Sequence, residues 1–122
     1  MSHIVQIQTE VHDSLAAAAA CRRFGLPEPV QGTAALYSGE ATGLLVRLPD
    51  WVYPAVFDTA SGQARFDHFD GRWGDPAHLG RFLQMYSVEK AKIEARKRGY
   101  AATEQTLADG SIKLSISVGG GA

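Results

Sequence analysis

The chain has 122 residues, 45% of them hydrophobic, and this length suits one domain with a single apolar core and is too short for two ordinary domains. Twelve Lys and Arg residues against thirteen Asp and Glu residues give a formal net charge of -1, which excludes a molecule-wide positive field of the kind that attracts polyanions. The single cysteine, Cys21, excludes an internal disulfide bond, and no apolar run reaches the ~20 residues that span a bilayer.

The start of the chain, Met1-Ser2-His3-Ile4, lacks the basic region and the long apolar stretch of a secretory signal. We therefore expect a cytoplasmic protein with no membrane partner. We expect residues 1–118 to form a single α+β domain and residues 119–122 to form a flexible, glycine-rich tail.

The first predicted elements are a strand and a helix. Residues 4–9 mix β-branched and polar side chains in a way that is typical of a strand. Asp13 or Ser14 offers a side-chain oxygen to cap a helix over residues 15–24, which ends at Gly25. The alanine run of this helix permits close packing on a sheet. The side chains that we expect to make this contact are Leu15, Ala18, Cys21 and Phe24.

Four short strands follow, and turn signals group them into two hairpins. The first hairpin joins residues 33–38 to residues 44–48 through a loop at 39–43, which lacks the Lys-Ser/Thr ending of a phosphate-binding loop. The second joins residues 52–58 to residues 63–69 through a turn that contains a glycine. Aromatic residues concentrate in and after this region: Trp51, Tyr53, Phe57, Phe66, Phe69 and Trp73.

A long helix is predicted from Asp75-Pro76 to Arg98, with Gly99 as its stop signal. The Asp75 carboxylate can accept from free backbone amides, and proline at the first helical position loses no hydrogen bond. Apolar residues then recur at spacings of three, four or seven, which predicts a single buried face. These residues are Leu79, Phe82, Leu83, Tyr86 and Ile93.

The last predicted elements are two strands around the turn Asp109-Gly110, a clear hairpin signal. Apolar and polar residues alternate over residues 111–118, which indicates one buried and one exposed face. The element order is therefore β-α-β-β-β-β-α-β-β. This order predicts an α+β fold, with an antiparallel sheet of about five to seven strands and both helices packed on one face.

Four segments spread along the chain share their order of residues with one known family: Met1-Ser2-His3-Ile4, Gly71-Arg72-Trp73-Gly74, Phe82-Leu83-Gln84 with Tyr86, and Asp109-Gly110-Ser111-Ile112. They resemble the plastid and cyanobacterial proteins of the hypothetical chloroplast open reading frame 35-like family, also called domain of unknown function 1257, and in particular its planctomycete-type bacterial members. The resemblance covers nearly the whole chain. It implies a small accessory protein without established catalytic residues. The bacterial members are encoded near AAA-type ATPases, which implies an adaptor role.

The densest polar cluster, residues 67–78, contains two histidines and three aspartates. His68 and His78 suggest a metal-dependent enzyme, but their spacing matches no ligand motif of fixed geometry. A structural loop is the simpler interpretation, since Asp75 already has a capping role. The third interpretation is a binding loop whose contacting residues are Asp70, Arg72 and Trp73.

The end of the long helix is basic, with five Lys and Arg residues against the single Glu94 between positions 90 and 98. Cations at a helix C-terminus interact favourably with the helix dipole, so a solvated helix end explains this pattern. The functional alternative is an anion or RNA site. Its contacting residues would be Lys90, Arg96 and Lys97.

The run Gly119-Gly120-Gly121 before Ala122 suggests a further alternative, a ubiquitin-like modifier, beside the simpler interpretation of a frayed terminus. Cys21 lies among alanines without a neighbouring histidine, which indicates a packed thiol and not a nucleophile.

The leading hypothesis is a non-enzymatic protein-interaction or adaptor module, for which the resemblance implies an AAA-type ATPase as partner. Its expected contact surfaces are the sheet face opposite the helices and the loop from Asp70 to Asp75. RNA or anion binding, a ubiquitin-like modifier and a metal-dependent enzyme remain as alternatives. We expect no cofactor, and the sequence leaves a monomer or a homodimer open.

Overall fold

The computed structural model describes residues 4–118, which contain two helices and seven strands. The α+β class and the predicted order of elements are confirmed. The elements are β1 (Val5–Gln8), α1 (Ser14–Phe24), β2 (Val30–Ala35), β3 (Glu40–Val46), β4 (Ala55–Asp58), β5 (Gln63–Phe66), α2 (Pro76–Lys97), β6 (Ala101–Thr106) and β7 (Ile112–Ser117). No helix within the described residues is long and apolar enough to cross a membrane.

Five strands form one antiparallel sheet in the order β1-β5-β4-β3-β2. The first strand therefore pairs with the fifth and forms one edge of the sheet. The turn signals in the sequence predict hairpins between successive strands and do not predict this pairing. β6 and β7 do not extend this sheet but form a separate two-stranded sheet. That hairpin lies along α2, and its turn is held there by a hydrogen bond of 3.3 Å from Gln84 Nε2 to the carbonyl oxygen of Gly110.

The main core lies between one face of the large sheet and the two helices, as predicted. Phe57 of β4 and Phe82 of α2 are fully buried, and their ring centroids lie 5.5 Å apart. The predicted core residues Leu79, Phe82 and Tyr86 of α2 are buried, while Leu83 and Ile93 pack against the core from partly exposed positions. Sequence periodicity missed three further buried residues, because α2 also contacts α1 and the β6–β7 hairpin. They are Met85, Val88 and Ala95.

Both helices begin at the predicted caps. The carboxylate of Asp13 accepts from the amides of Leu15 and Ala16 at 2.9 and 3.3 Å, and α1 ends at Gly25, whose φ is 85°. The carboxylate of Asp75 accepts from the amide of Ala77 at 2.9 Å, ahead of the proline that opens α2.

The packing face of α1 differs from the expected one. Leu15 is 71% exposed, so its predicted core position is wrong. Helical positions three and four apart share a face, and the buried stripe consists of the small side chains Ala16, Ala17, Ala20 and Cys21. This stripe lets α1 lie close to its neighbours, which turns the larger Leu15 towards solvent.

The β2–β3 hairpin also differs from its predicted bounds. Residues 39–43 were expected to form its turn, but Glu40 to Gly43 belong to β3 and pair with Gly32 to Ala35. Gly43 is required for close strand approach and not for a turn, because a Cβ at this position would collide with the carbonyl oxygen of Phe57 in β4. A glycine in a tight approach and a glycine in a turn look the same in a sequence.

The tip of this hairpin packs on the sheet face opposite the helices. β3 pairs with β4 only from Leu44 to Val46, and its first half leaves β4. A second, smaller apolar cluster fills this face around Val56, which is 2% exposed. Its members from the hairpin are Ala34, Leu36 and Ala41, with Ile4, Leu45 and Tyr53 at its margin. Part of the face that was expected to contact partners is therefore covered by the chain itself.

Candidate interaction surface

Three connecting segments meet around Trp73. They are the β2–β3 turn at residues 36–39, the β3–β4 connection at 47–54 and the β5–α2 loop at 67–75. The predicted binding residues Asp70, Arg72 and Trp73 all lie on the last of these segments. Because the second apolar cluster holds the hairpin tip on the sheet, the first segment reaches the third despite their separation in sequence.

Trp73 is the centre of this arrangement, since three aromatic rings contact its indole. The ring centroids of Phe69, Tyr37 and Tyr53 lie 4.7, 5.1 and 5.7 Å from that of Trp73, at interplanar angles of 61°, 51° and 71°. Such tilted and edge-to-face contacts contribute about 0.5–1.5 kcal/mol each beyond simple area burial. The guanidinium of Arg72 lies over the ring of Phe69, with Cζ 5.0 Å from its centroid.

The loop that carries Trp73 contains a left-handed turn. Phe69, Asp70 and Gly71 have φ values of 50°, 49° and 91°. A side chain in this region costs about 1–3 kcal/mol and persists only where its surroundings enforce it. The carbonyl oxygen of His68 accepts from the amides of Gly71 and Trp73 at 3.0 and 2.8 Å, which closes the turn and fixes the indole.

Trp51 of the β3–β4 connection holds the same loop in place. Its indole Nε1 donates to the carbonyl oxygen of Asp75 at 3.0 Å, and its ring lies against Gly74, where a Cβ would collide with it. The neighbouring amide of Val52 donates to the carbonyl oxygen of Trp73 at 2.8 Å. The β3–β4 connection therefore fixes the backbone of the β5–α2 loop from Trp73 to Asp75.

The outer side of this region is exposed and amphipathic. Tyr37 and Val52 are 61% and 57% exposed, Arg72 is exposed, and Phe69, Trp73 and Tyr53 are half-buried. We call these six residues the aromatic surface. Its combination of rigid aromatic rings with an arginine is typical of residues that dominate binding energy in protein interfaces. Sequence reasoning named Arg72 and Trp73 as contacting residues and noted Tyr53 and Phe69 among the clustered aromatics. It missed Val52 and also Tyr37, which comes from a distant hairpin tip.

The two histidines of the metal hypothesis have different neighbours. His68 packs against Phe66 and Trp51, with ring centroids 5.1 and 5.6 Å apart, while His78 meets the edge of Phe24 in α1 at 6.4 Å. Within residues 4–118, no group of three or more His, Cys, Asp or Glu side chains is arranged to hold a metal ion. Both histidines are therefore positioned by packing against aromatic rings.

The basic end of α2 is largely ion-paired. Lys90 Nζ lies 3.0 Å from Asp13 and 2.9 Å from Glu94, and Lys97 Nζ lies 3.5 Å from Glu94. Hydrogen bonds to Glu94 and Asp13 raise the pKa of Lys90. Burial favours a higher pKa for Asp13, but hydrogen bonds from Lys90 and from backbone amides outweigh it, so that pKa is lowered. Arg96 and Arg98 form no ion pair with the described residues.

A second set of ion pairs lies beside the first. Arg23 of α1 binds Glu89 of α2 at 3.1 Å and Glu104 of β6 at 2.7 Å, and Lys92 binds the same two carboxylates at 3.2 and 3.5 Å. The hydrogen bond from Arg23 lowers the pKa of Glu104. Sequence reasoning counted only Glu94 near the lysines, because its window began at residue 90 and left out the adjacent Glu89, and because Asp13 and Glu104 come from distant segments. These pairs join both helices to the last hairpin, which is a structural role.

Cys21 is a packed thiol, as predicted. It is fully buried against the sheet, and burial raises its pKa to about 11. The thiolate needed for nucleophilic chemistry is therefore disfavoured at neutral pH.

The predicted glycine tail, Gly119-Gly120-Gly121, lies outside the described residues, so the modifier hypothesis stays a prediction. Comparisons with protein-family models, with curated proteins and with solved structures found no match for this chain. The family resemblance of the four segments likewise stays a prediction, and the functional case depends on the geometry of the chain itself.

Proposed function

We propose that this chain is a non-enzymatic interaction module that binds a protein partner through the aromatic surface. The observation that carries the proposal is the indole of Trp73, which is held by three other rings and surrounded by exposed Tyr37, Val52 and Arg72. Aromatic and arginine side chains that are already ordered lose little conformational freedom on binding, so their contacts contribute more to affinity.

The backbone supports the same proposal. Phe69 and Asp70 hold left-handed conformations that are unfavourable for residues with side chains. Gly71, Gly74 and the hydrogen bonds from Trp51 and Val52 keep this loop in place. Strained backbone that is fixed by its surroundings is concentrated at functional sites, and here it carries the exposed Arg72 and the half-buried Trp73.

The charge around the aromatic surface favours a protein partner over a nucleic acid. Arg72 is the sole Lys or Arg residue between positions 67 and 78, where three aspartates also lie. An RNA site would need several cations to neutralise phosphates beside its stacking rings. At the alternative site at the end of α2, carboxylates already neutralise Lys90, Lys92 and Lys97, which weakens the case for phosphate binding there.

We further propose that the protein partner is an AAA-type ATPase, which the family resemblance suggests, and that this module acts as its adaptor. RNA or anion binding through Lys90, Arg96 and Lys97 is the alternative function, and the following experiment tests it as well.

The test compares quantitative affinity purification of three variants from native cells with that of the unchanged chain. Tyr37→Ser and Arg72→Ala remove exposed members of the aromatic surface, and Arg96→Ala is the matched surface control. The first two should lose the same captured protein, and the Kd measured with that purified protein should rise by about 30-fold or more, as for a hot-spot residue.

Two results would contradict the proposal. One is an unchanged Kd for both Tyr37→Ser and Arg72→Ala with the purified partner. The other is capture that nuclease treatment abolishes and that Arg96→Ala weakens, because this result would assign binding to nucleic acid at the helix end. Circular dichroism of each variant checks that the fold is retained.

A further inference from the structure

Each strand of the β6–β7 hairpin has an outer edge that pairs with no other strand within residues 4–118. Glu104 of β6 binds Arg23 of α1, so β6 lies on the side of the first helix. β7 pairs with β6 and with no other strand in residues 4–118. An open edge presents free backbone amides and carbonyls that can pair with another strand.

Of the two strands, only β7 has large apolar side chains along one face, the side that faces α2. Ile112 and Leu114 are partly buried, whereas Ile116 is 44% exposed and Val118 is 71% exposed. The last two residues line a cleft of about 480 Å³ between the hairpin and the end of α2. The other residues of the cleft are Ala91, Glu94, Ala95, Arg98 and Tyr100.

The sequence of β7 is complementary to itself when two copies run in opposite directions. With Ser115 at the centre, Ile112 lies opposite Val118 and Leu114 opposite Ile116, so apolar side chains meet on one face. Lys113 lies opposite Ser117 on the other face, so that no like charges meet. Sliding one strand by a single residue would set apolar against polar residues, and moving the centre to Lys113 would place two lysines together. A centre at Leu114 or Ile116 keeps apolar residues opposite each other, but it leaves Val118 or Ile112 without an apolar partner. Only the centre at Ser115 pairs all four apolar residues of the strand.

We propose that β7 pairs in antiparallel register with β7 of a second copy of this chain, centred on Ser115. The two hairpins then form one four-stranded sheet across a two-fold axis. In this arrangement Ile116 and Val118 are covered by the apolar residues of the second copy. The aromatic surface lies on other segments and takes no part, so this homodimer is independent of the proposed partner binding.

The first test is the oligomeric state by sedimentation velocity over a range of concentrations. We expect a dimer, and Ile116→Lys should convert it to a monomer because it places a charge among apolar side chains at the axis. Tyr37→Ser is the control and should remain dimeric. A monomer at every concentration up to roughly 100 μM would overturn the proposal, since a micromolar Kd would already populate the dimer.

The second test fixes the register by disulfide cross-linking. Ser115→Cys places two thiols across the axis, where opposed Cα atoms about 4.5–5.5 Å apart suit a disulfide. Ser117→Cys is the matched exposed control, whose two copies would lie about 13 Å apart at ~3.3 Å per residue. A mixture of Lys113→Cys and Ser117→Cys proteins should cross-link to each other. If Ser117→Cys alone cross-links as readily as Ser115→Cys, the proposed register is wrong.

Discussion

The hydroxyl of Tyr86 and the backbone amide of Asp13 join the two helices, with the oxygen 3.0 Å from the nitrogen. The same hydroxyl accepts from the amide of His12 at 3.1 Å. Asp13 meanwhile caps α1 with its carboxylate and binds Lys90 of α2. Asp13 therefore both caps α1 and attaches its start to Tyr86 and Lys90 of α2.

Tyr86→Phe should destabilise the protein by about 1–3 kcal/mol, because two partly buried amides lose their acceptor while the ring stays in place. Urea denaturation followed by fluorescence measures the loss as a lower transition midpoint. Tyr37→Phe is the matched control, since Tyr37 is 61% exposed, and should change stability by less than about 0.5 kcal/mol. Equal effects of the two substitutions would mean that the Tyr86 hydroxyl has no structural role.

Gly43→Ala should destabilise the protein by at least about 1–3 kcal/mol, because the new Cβ collides with the Phe57 carbonyl and forces β3 away from β4. Gly32→Ala is a close control, as Gly32 is the cross-strand partner of Gly43 and its Cβ would meet Leu45 at an ordinary 3.8 Å. That control should be neutral or stabilise the protein by up to about 1 kcal/mol. Thermal unfolding of both variants measures the difference, and a tolerated alanine at position 43 would refute the close approach.

The ion pairs of Glu104 in β6 and of Glu94 in α2 should make stability fall in acid. The hydrogen bond from Arg23 lowers the pKa of Glu104, and that from Lys90 lowers the pKa of Glu94. Stability from such groups is complete above the ordinary carboxyl pKa of ~4.3 and is lost as pH falls through the lowered values. Chemical denaturation between pH 7 and pH 2 should show this decline.

Glu104→Gln isolates one of these contributions. It should lower stability at neutral pH by about 0.5–1 kcal/mol and reduce the loss of stability in acid. Glu28→Gln is the matched control, because its ion pair with Arg22 is 63% exposed on both sides and should contribute almost nothing. An acid profile of Glu104→Gln identical to that of the unchanged chain would contradict the assigned role of this pair.

Cys21 should resist alkylation in the folded protein at pH 8, because burial raises its pKa to about 11 and excludes the reagent. Labelling with iodoacetamide, followed by intact mass, should show no adduct in native buffer and one adduct in urea. Rapid native labelling would show instead that α1 leaves the sheet frequently.

Features set by neighbouring residues could be predicted from the sequence. Asp13 and the pair Asp75-Pro76 start the helices where expected, because a cap and the amides that it binds lie within three residues of each other. The same holds for the hairpin at Asp109-Gly110. Helical spacing also predicted half of the buried residues of α2, namely Leu79, Phe82 and Tyr86.

Features that depend on distant residues could not be predicted. In the sequence Gly43 resembles a turn residue, and only the position of β4 shows that it permits close strand approach. Leu15 resembles a core residue, but the face of α1 that is buried is the one formed by its alanines. The contact of Tyr37 with Trp73 and the neutralisation of Lys92 by Glu104 join segments far apart in sequence. Hydrophobic periodicity contains no information on such pairings.

The pairing of β1 with β5 also determines when the sheet can be completed during synthesis. Val5 lies opposite Phe66, so the N-terminal strand must wait for roughly 60 further residues, or about 3–12 s at ~5–20 residues per second. The β2–β3 and β4–β5 hairpins close shorter loops and can form in the meantime. The N-terminal strand is then the last to join the sheet, and until it does the nascent chain exposes the edge of β5 to chaperones and to other chains.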